Sequence, residues 1–179
     1  MFAAYLVPGA AAWAAVGLAL GVATVEIRWL STAALVASVV YGCAYGAAEV
    51  GGSPWPAAPG RRWQVPQDLL IGASPPRRVL VWGSILGPGF LTRNPYAGFA
   101  ILPLLVAAVG SVPAAVIVAG LAGAAHAAGR AAALLRDSAR PQDDPFALLL
   151  SSLRWRLVDG IALLTVAAAA AVVAGFRIR

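Results

Sequence analysis

The sequence predicts an all-α, polytopic transmembrane bundle of five or six helical segments. Composition is the first reason. Apolar residues make up 61% of the 179 residues and charged ones 11%, against about 45–50% and about 25% in a soluble domain. Mean hydropathy is +0.83. Pattern is the second reason. The apolar residues fall in continuous runs of about 20, the length an α-helix needs to cross about 30 Å of hydrocarbon, with no period-2 alternation. These observations exclude an ordinary soluble enzyme, a disulfide-stapled secreted domain and a disordered chain. The single cysteine, Cys43, permits neither an internal disulfide nor a C-x-x-C pair, and the single histidine, His126, cannot build a His cluster for a metal. Cys43 lies in an apolar run with no basic neighbour in sequence, which reads as an inert packed thiol.

The first apolar run, Ala3 to Ala23, and the second, Trp29 to Val50, are joined only by Thr24 to Arg28. A connection that short makes an antiparallel hairpin. Met1 to Tyr5 lacks a basic residue, and the run behind it is longer than a signal-peptide core, so it reads as a retained span. From Gly51 to Arg78, six prolines and four arginines predict a loop outside the hydrocarbon, with a short interfacial turn around Trp63.

Val79 to Ser111 is too long for one upright span and short for two. Its middle carries Gly87-Pro88-Gly89 and Arg93-Asn94-Pro95. Proline removes a donor and glycine weakens a helix, so the sequence predicts a break between Gly87 and Pro95. The block is then either one broken, partly re-entrant helix or two short helices. Inside a membrane such backbone survives only where protein or a polar cavity covers it.

Pro113 to Leu135 reads as another full span and Asp137 to Asp144 as a polar loop. Asp144-Pro145 fits a helix start. Phe146 to Trp155 reads as a short interfacial helix anchored by Arg154, Trp155 and Arg156. The last span runs from Leu157 to Phe176, before Arg177 and Arg179. Net charge is +6, all of the basic residues being arginine. If the 79–111 block crosses once, the two basic loops share one side with the N-terminus, which is then cytoplasmic. If it crosses twice, they fall on opposite sides and charge discriminates little. Charge favours five crossings and segment length favours six, and the expectation is six hydrophobic helical segments, one pair of them short.

Polar residues inside such a chain are the candidate site. Arg93, Asn94 and Thr92 sit at the break, where transporters use freed backbone and helix ends to hold substrate. Arg93 there would favour an anionic or carbonyl-rich ligand. His126 and Arg130 are one turn apart on one helix and form a candidate proton or anion site. The alternative is that Arg130 snorkels to the interface while His126 bonds a neighbouring carbonyl. Glu49 and Asp159, near span ends, read as interfacial acids, as a coupling site, or as partners for Arg130 or Arg93. Gly17-x-x-x-Gly21, Gly42-x-x-x-Gly46 and Gly83-x-x-x-Gly87 let helices approach closely, within one bundle or across a homo-oligomer.

The stretch Trp82-Gly83-Ser84-Ile85-Leu86-Gly87-Pro88-Gly89-Phe90, through Asn94-Pro95 to Leu102-Pro103-Leu104-Leu105, resembles the broken first helix of the cytochrome c biogenesis and thiol-disulfide interchange membrane domains. Those belong to the LysE-type superfamily of small six-helix exporters. About 25 residues carry the resemblance. It implies an inverted-repeat bundle whose broken helices line a central cavity. It departs at the break, where no cysteine stands, and this removes disulfide relay chemistry.

Two functions follow as expectations. One is a transporter or exporter-like protein with its polar site at the break. The other is a non-catalytic accessory or structural subunit of a larger membrane complex. Enzyme motifs are missing: there is no G-x-S-x-G, no phosphate-cradling loop and no H-E-x-x-H. The expected partners are the lipid bilayer and a membrane protein or second copy, not nucleic acid. The expected location is a bacterial inner membrane. No cofactor is expected.

Overall fold

A computed structural model of the chain describes residues 2–53, 71–90, 97–138 and 145–178. Every regular element among them is helical. The order is α1 (Phe2–Glu26), α2 (Arg28–Val50), α3 (Pro75–Leu86), a 3-10 turn (Ala97–Ile101), α4 (Leu102–Ala108), α5 (Val112–Ser138) and α6 (Pro145–Ile178). Prolines open several of these helices. Pro75 and Pro76 start α3, Pro103 and Pro113 fall in the first turns of α4 and α5, and Pro145 starts α6. At such positions the missing N–H is one that the helix leaves unpaired in any case.

Two antiparallel pairs form the frame. In one pair, α1 lies on α5 through small residues. A Cβ at Gly17 would sit 2.5 Å from the Ala115 carbonyl oxygen, and one at Gly21 would sit 2.9 Å from Val112 Cα. In the other pair, α2 lies on α6. A Cβ at Gly42 would sit 2.8 Å from the Leu163 carbonyl oxygen, and one at Gly46 would sit 3.0 Å from that of Gly160. Both glycine pairs therefore serve contacts within the chain. Between the two frames there is little direct packing. The α1–α2 contact is small, and α5 and α6 hardly touch.

The short helices fill the space between. Val106 of α4 is buried with Trp13, Ala115 and Ala119 of the first pair. Ala107 and Ala108 are buried with Ala34, Leu35, Ala170 and Ala174 of the second. Ala97 and Ile101 pack on Leu163. Helix α3 keeps to the first pair. Pro8 in α1 cannot donate to the Ala4 carbonyl one turn back, and Gly83 of α3 lies directly over that oxygen.

These contacts fix the path of the chain. Gly83 lies on Ala4 and Gly87 on Tyr5. Pro88 is at Trp13, Val106 is near Leu20, and Gly110 reaches Ser31. So α3 and α4 run in tandem along the length of α1, and the chain traverses the bundle five times. Tyr5, Glu49 and Arg156 lie at one end, called proximal below. Thr24, Ser31 and Val112 lie at the other, the distal end. This arrangement combines six helical segments, one pair of them short, with five traverses.

The structure differs from the sequence reading in several bounds. Only Ile27 separates α1 from α2. Of the Gly51–Arg78 segment, Pro75 to Arg78 already belong to α3, and residues 54–70 lie outside the described residues. The interfacial helix and last span expected as separate elements are one continuous helix of 34 residues, about 50 Å long at about 1.5 Å per residue. Cys43 faces outward rather than into the bundle.

The distribution of side chains inverts that of a soluble protein. The interior is largely alanine and glycine, while Val7, Val40, Ile117, Leu121, Ile161 and Val172 are each about 60% exposed or more. Four helices are long and apolar enough to cross a membrane. The chain is a multi-pass membrane protein, because only lipid makes that exterior favourable.

Candidate functional site

The site is built where α3 stops. Gly87 caps α3 and its N–H still donates to the Gly83 carbonyl at 2.8 Å. Pro88 then removes a donor, and Gly89 turns the chain at φ +78°, a conformation that favours glycine. Gly87, Pro88 and Gly89 are all buried. Non-helical backbone thus lies inside the bundle, and the surrounding helices must supply its partners.

Each of the four long helices contributes a side chain. From α1, Trp13 Nε1 donates to the Pro88 carbonyl at 2.8 Å. Its ring is 1% exposed and meets Phe99 and Phe90 edge-on, with centroids 5.4 and 5.9 Å apart. From α2, the Tyr41 hydroxyl donates to the Ala97 carbonyl at 2.8 Å, while its ring stacks on Tyr45 at 4.2 Å. From α6, Asp159 Oδ2 accepts the Gly98 N–H at 3.0 Å, and the carboxyl also accepts the Ala97 N–H. It caps the first turn of the returning helix, where free amides and the helix dipole favour a carboxylate. Asp159 Oδ1 occupies the space that a Cβ at Gly98 would need. From α5, the His126 ring lies 4.4 Å from that of Phe99 and fills the space a Cβ at Gly89 would take. His126 Nε2 is buried and has no hydrogen-bond partner among the described residues.

The sequence candidates divide. His126 is at the site. Arg130, one turn further toward the proximal end, lies in the electrostatic range of both His126 and Tyr5. Thr92, Arg93 and Asn94 lie outside the described residues. Two acids found other partners than the arginines considered. Glu49 is paired with Arg156, Nε to Oε2 at 2.6 Å, and the same guanidinium donates to the Ser53 carbonyl at 3.0 Å. Asp159 holds backbone amides. Sequence reasoning missed Trp13 and Tyr41 altogether. One signal was present for Trp13: it stands mid-span, whereas membrane tryptophans favour the interfaces.

Replacing Trp13 tests the break directly. Trp13→Phe keeps most of the ring area but strands the buried Pro88 carbonyl, at a cost of about 1–3 kcal/mol. Trp13→Phe should therefore lower the thermal midpoint in detergent well below the effect of Trp29→Phe, whose ring is 69% exposed. Equal midpoints would show that the Pro88 bond contributes nothing.

No protein-family model, curated protein or solved structure matches the chain.

Proposed function

We propose that this protein is a small transporter-like membrane protein whose third crossing, α3 through α4, is interrupted mid-bundle to form the site. One observation carries the reading. The buried backbone from Gly87 to Gly89 and the helix start at Ala97 are met by Trp13, Tyr41, His126 and Asp159, one from each long helix. Interrupted crossings with paired helix ends inside the bundle are the usual substrate and ion sites of transporters. The frame supports the same reading, since two tightly packed pairs joined mainly through α4 are suited to move against each other. The resemblance to the cytochrome c biogenesis domains points to the same kind of scaffold, without the cysteines that relay disulfides.

Orientation follows from charge. The segments joining α2 to α3 and α5 to α6 carry Arg61, Arg62 and Arg140 in sequence. Arg77, Arg78, Arg154 and Arg156 flank them. The described Arg77, Arg78, Arg154 and Arg156 lie at the proximal end, against Arg28 and Arg177 at the distal end. By the positive-inside rule the proximal end and the N-terminus are cytoplasmic and the C-terminus is outside.

The second reading, an accessory subunit, draws on an apolar groove along α2. Trp29, Val36, Val40, Tyr41 and Leu104 line it, and a partner helix would fit there. Access to the break separates the two. In a Cys43→Ala background, a cysteine replacing Ala97, which is 0% exposed, should react with a membrane-impermeant maleimide from each side of sealed vesicles in turn. One replacing Ala119, also 0% exposed, should react from neither. Protection of Ala97→Cys from both sides in a folded protein would favour the static subunit.

A further inference from the structure

Among the described residues His126 Nε2 stands out as a buried side-chain nitrogen with no partner. A buried polar atom left unpaired costs about 1–3 kcal/mol. Among the described residues the ring packs on Phe99 and Gly89, and an apolar side chain would fill that space as well. The room for the ring comes from Gly89, whose positive φ and missing Cβ keep the space clear.

Among the described residues the charged and titratable groups around the ring are few. Arg130 is one turn away on α5, and Tyr5 is on α1. Asp159 on α6 lies beyond the Gly98–Phe99 peptide, with its carboxyl engaged by the Ala97 and Gly98 amides. The Gly87–Phe90 segment offers none, and the Trp13 N–H is spent on Pro88. A second cation next to Arg130, with Nε2 itself buried and without an acceptor among the described residues, is costly. The arrangement described therefore holds the neutral ring. The position of the ring is what gives this a consequence. His126 belongs to the α1–α5 pair and Asp159 to the α2–α6 pair, and those pairs meet mainly through the short helices. Parting along that seam would open Nε2 to water.

We propose that His126 Nε2 is a proton-binding site, neutral in the described arrangement and protonated when the two helix pairs part, so that the proton is the coupling ion. This rests on the transporter-like reading above. Protonation then favours the open arrangement by the same free energy by which opening favours protonation. An imidazole suits the task because it changes charge near neutral pH.

The test uses the fact that His126 is the only histidine. Full-length protein with 15N-labelled histidine and a histidine-free affinity tag is placed in nanodiscs, and its ring signal is followed from about pH 8 to about pH 5.5. In parallel, the maleimide labelling rate of Ala97→Cys in the Cys43→Ala background is measured over the same interval in vesicles. The ring should take up a proton over the interval in which labelling rises by about fivefold or more. His126→Gln, which cannot bind the proton, should lose the rise with pH, whatever its rate at neutral pH. A ring that stays neutral throughout, or a rise unchanged in His126→Gln, overturns the proposal. If His126→Gln fails to fold, the wild-type titration decides by itself. Labelling from both sides with no pH dependence removes the proton and leaves the transporter-like reading standing. Labelling from neither side removes both.

Discussion

Gly17→Ala and Gly123→Ala should each destabilise the folded protein, whereas Gly129→Ala and Gly175→Ala should leave it unchanged or slightly more stable. All four glycines lie inside long helices. By helix propensity alone, every one of these changes is favourable by about 0.5–1 kcal/mol. Packing reverses the sign at two of them. The new methyl at Gly17 would lie 2.5 Å from the Ala115 carbonyl oxygen. At Gly123 it would meet the Gly9 carbonyl oxygen and lie 2.7 Å from Trp13 Cβ. Backbone cannot step aside as a flexible side chain does, so α1 and α5 must separate. That forfeits contacts along the whole pair, and overpacking costs about 1–3 kcal/mol or more. At Gly129 and Gly175 nothing lies within 4 Å of the added methyl. The measurement is the thermal midpoint of the monodisperse protein in detergent. The same midpoint for all four variants would mean that the α1–α5 contact is looser than described.

This contrast also shows how far the sequence could be read. Gly17 was marked in the sequence by its spacing from Gly21, but Gly123 and Gly129 look alike there, each a glycine in an Ala-rich helix, and only the partner helix tells them apart. The existence and type of the long helices were legible because length and apolarity are local properties. The end of α3 was legible too, because Pro88 and Gly89 act on their own backbone. Pairing was not. Glu49 finds Arg156 across 107 residues, and no local pattern distinguishes Arg156 from Arg130 as its partner. The two segments read as an interfacial helix and a last span are one helix because nothing between Trp155 and Leu157 breaks it, and a polar-to-apolar boundary is not a structural one. Trp13 was hidden for a different reason. An indole in an apolar run reads as bulk until a carbonyl without a helical donor appears opposite its N–H, and Pro88 is 75 residues away.

Asp159 is where a small chemical change should have the second large effect. Asp159→Ala removes the acceptor for the Gly98 and Ala97 amides and leaves two donors at the start of the returning helix facing an apolar interior. Each stranded donor costs about 1–3 kcal/mol. Asp159→Asn keeps an oxygen acceptor of the same reach but loses charge at the helix start, worth about 0.3–1 kcal/mol. It also introduces an NH2 group that needs a partner of its own. The expected order of thermal stability is therefore wild type, then Asn, then Ala. Tyr41→Phe supplies a matched comparison. It strands a carbonyl, at Ala97, instead of amides, and should cost less than Asp159→Ala because one orphan replaces two. The same order should appear in the labelling rate of Ala97→Cys, fastest in Asp159→Ala, because the turn that hides this residue is held by the carboxyl. If Asp159→Ala were as stable as the wild type, the helix start at Ala97 would have to find its acceptors elsewhere, and the interrupted crossing would not depend on α6. The two helix pairs would then be tied together mainly by α4, and the labelling of Ala97→Cys would follow substitutions in α4 rather than at Asp159.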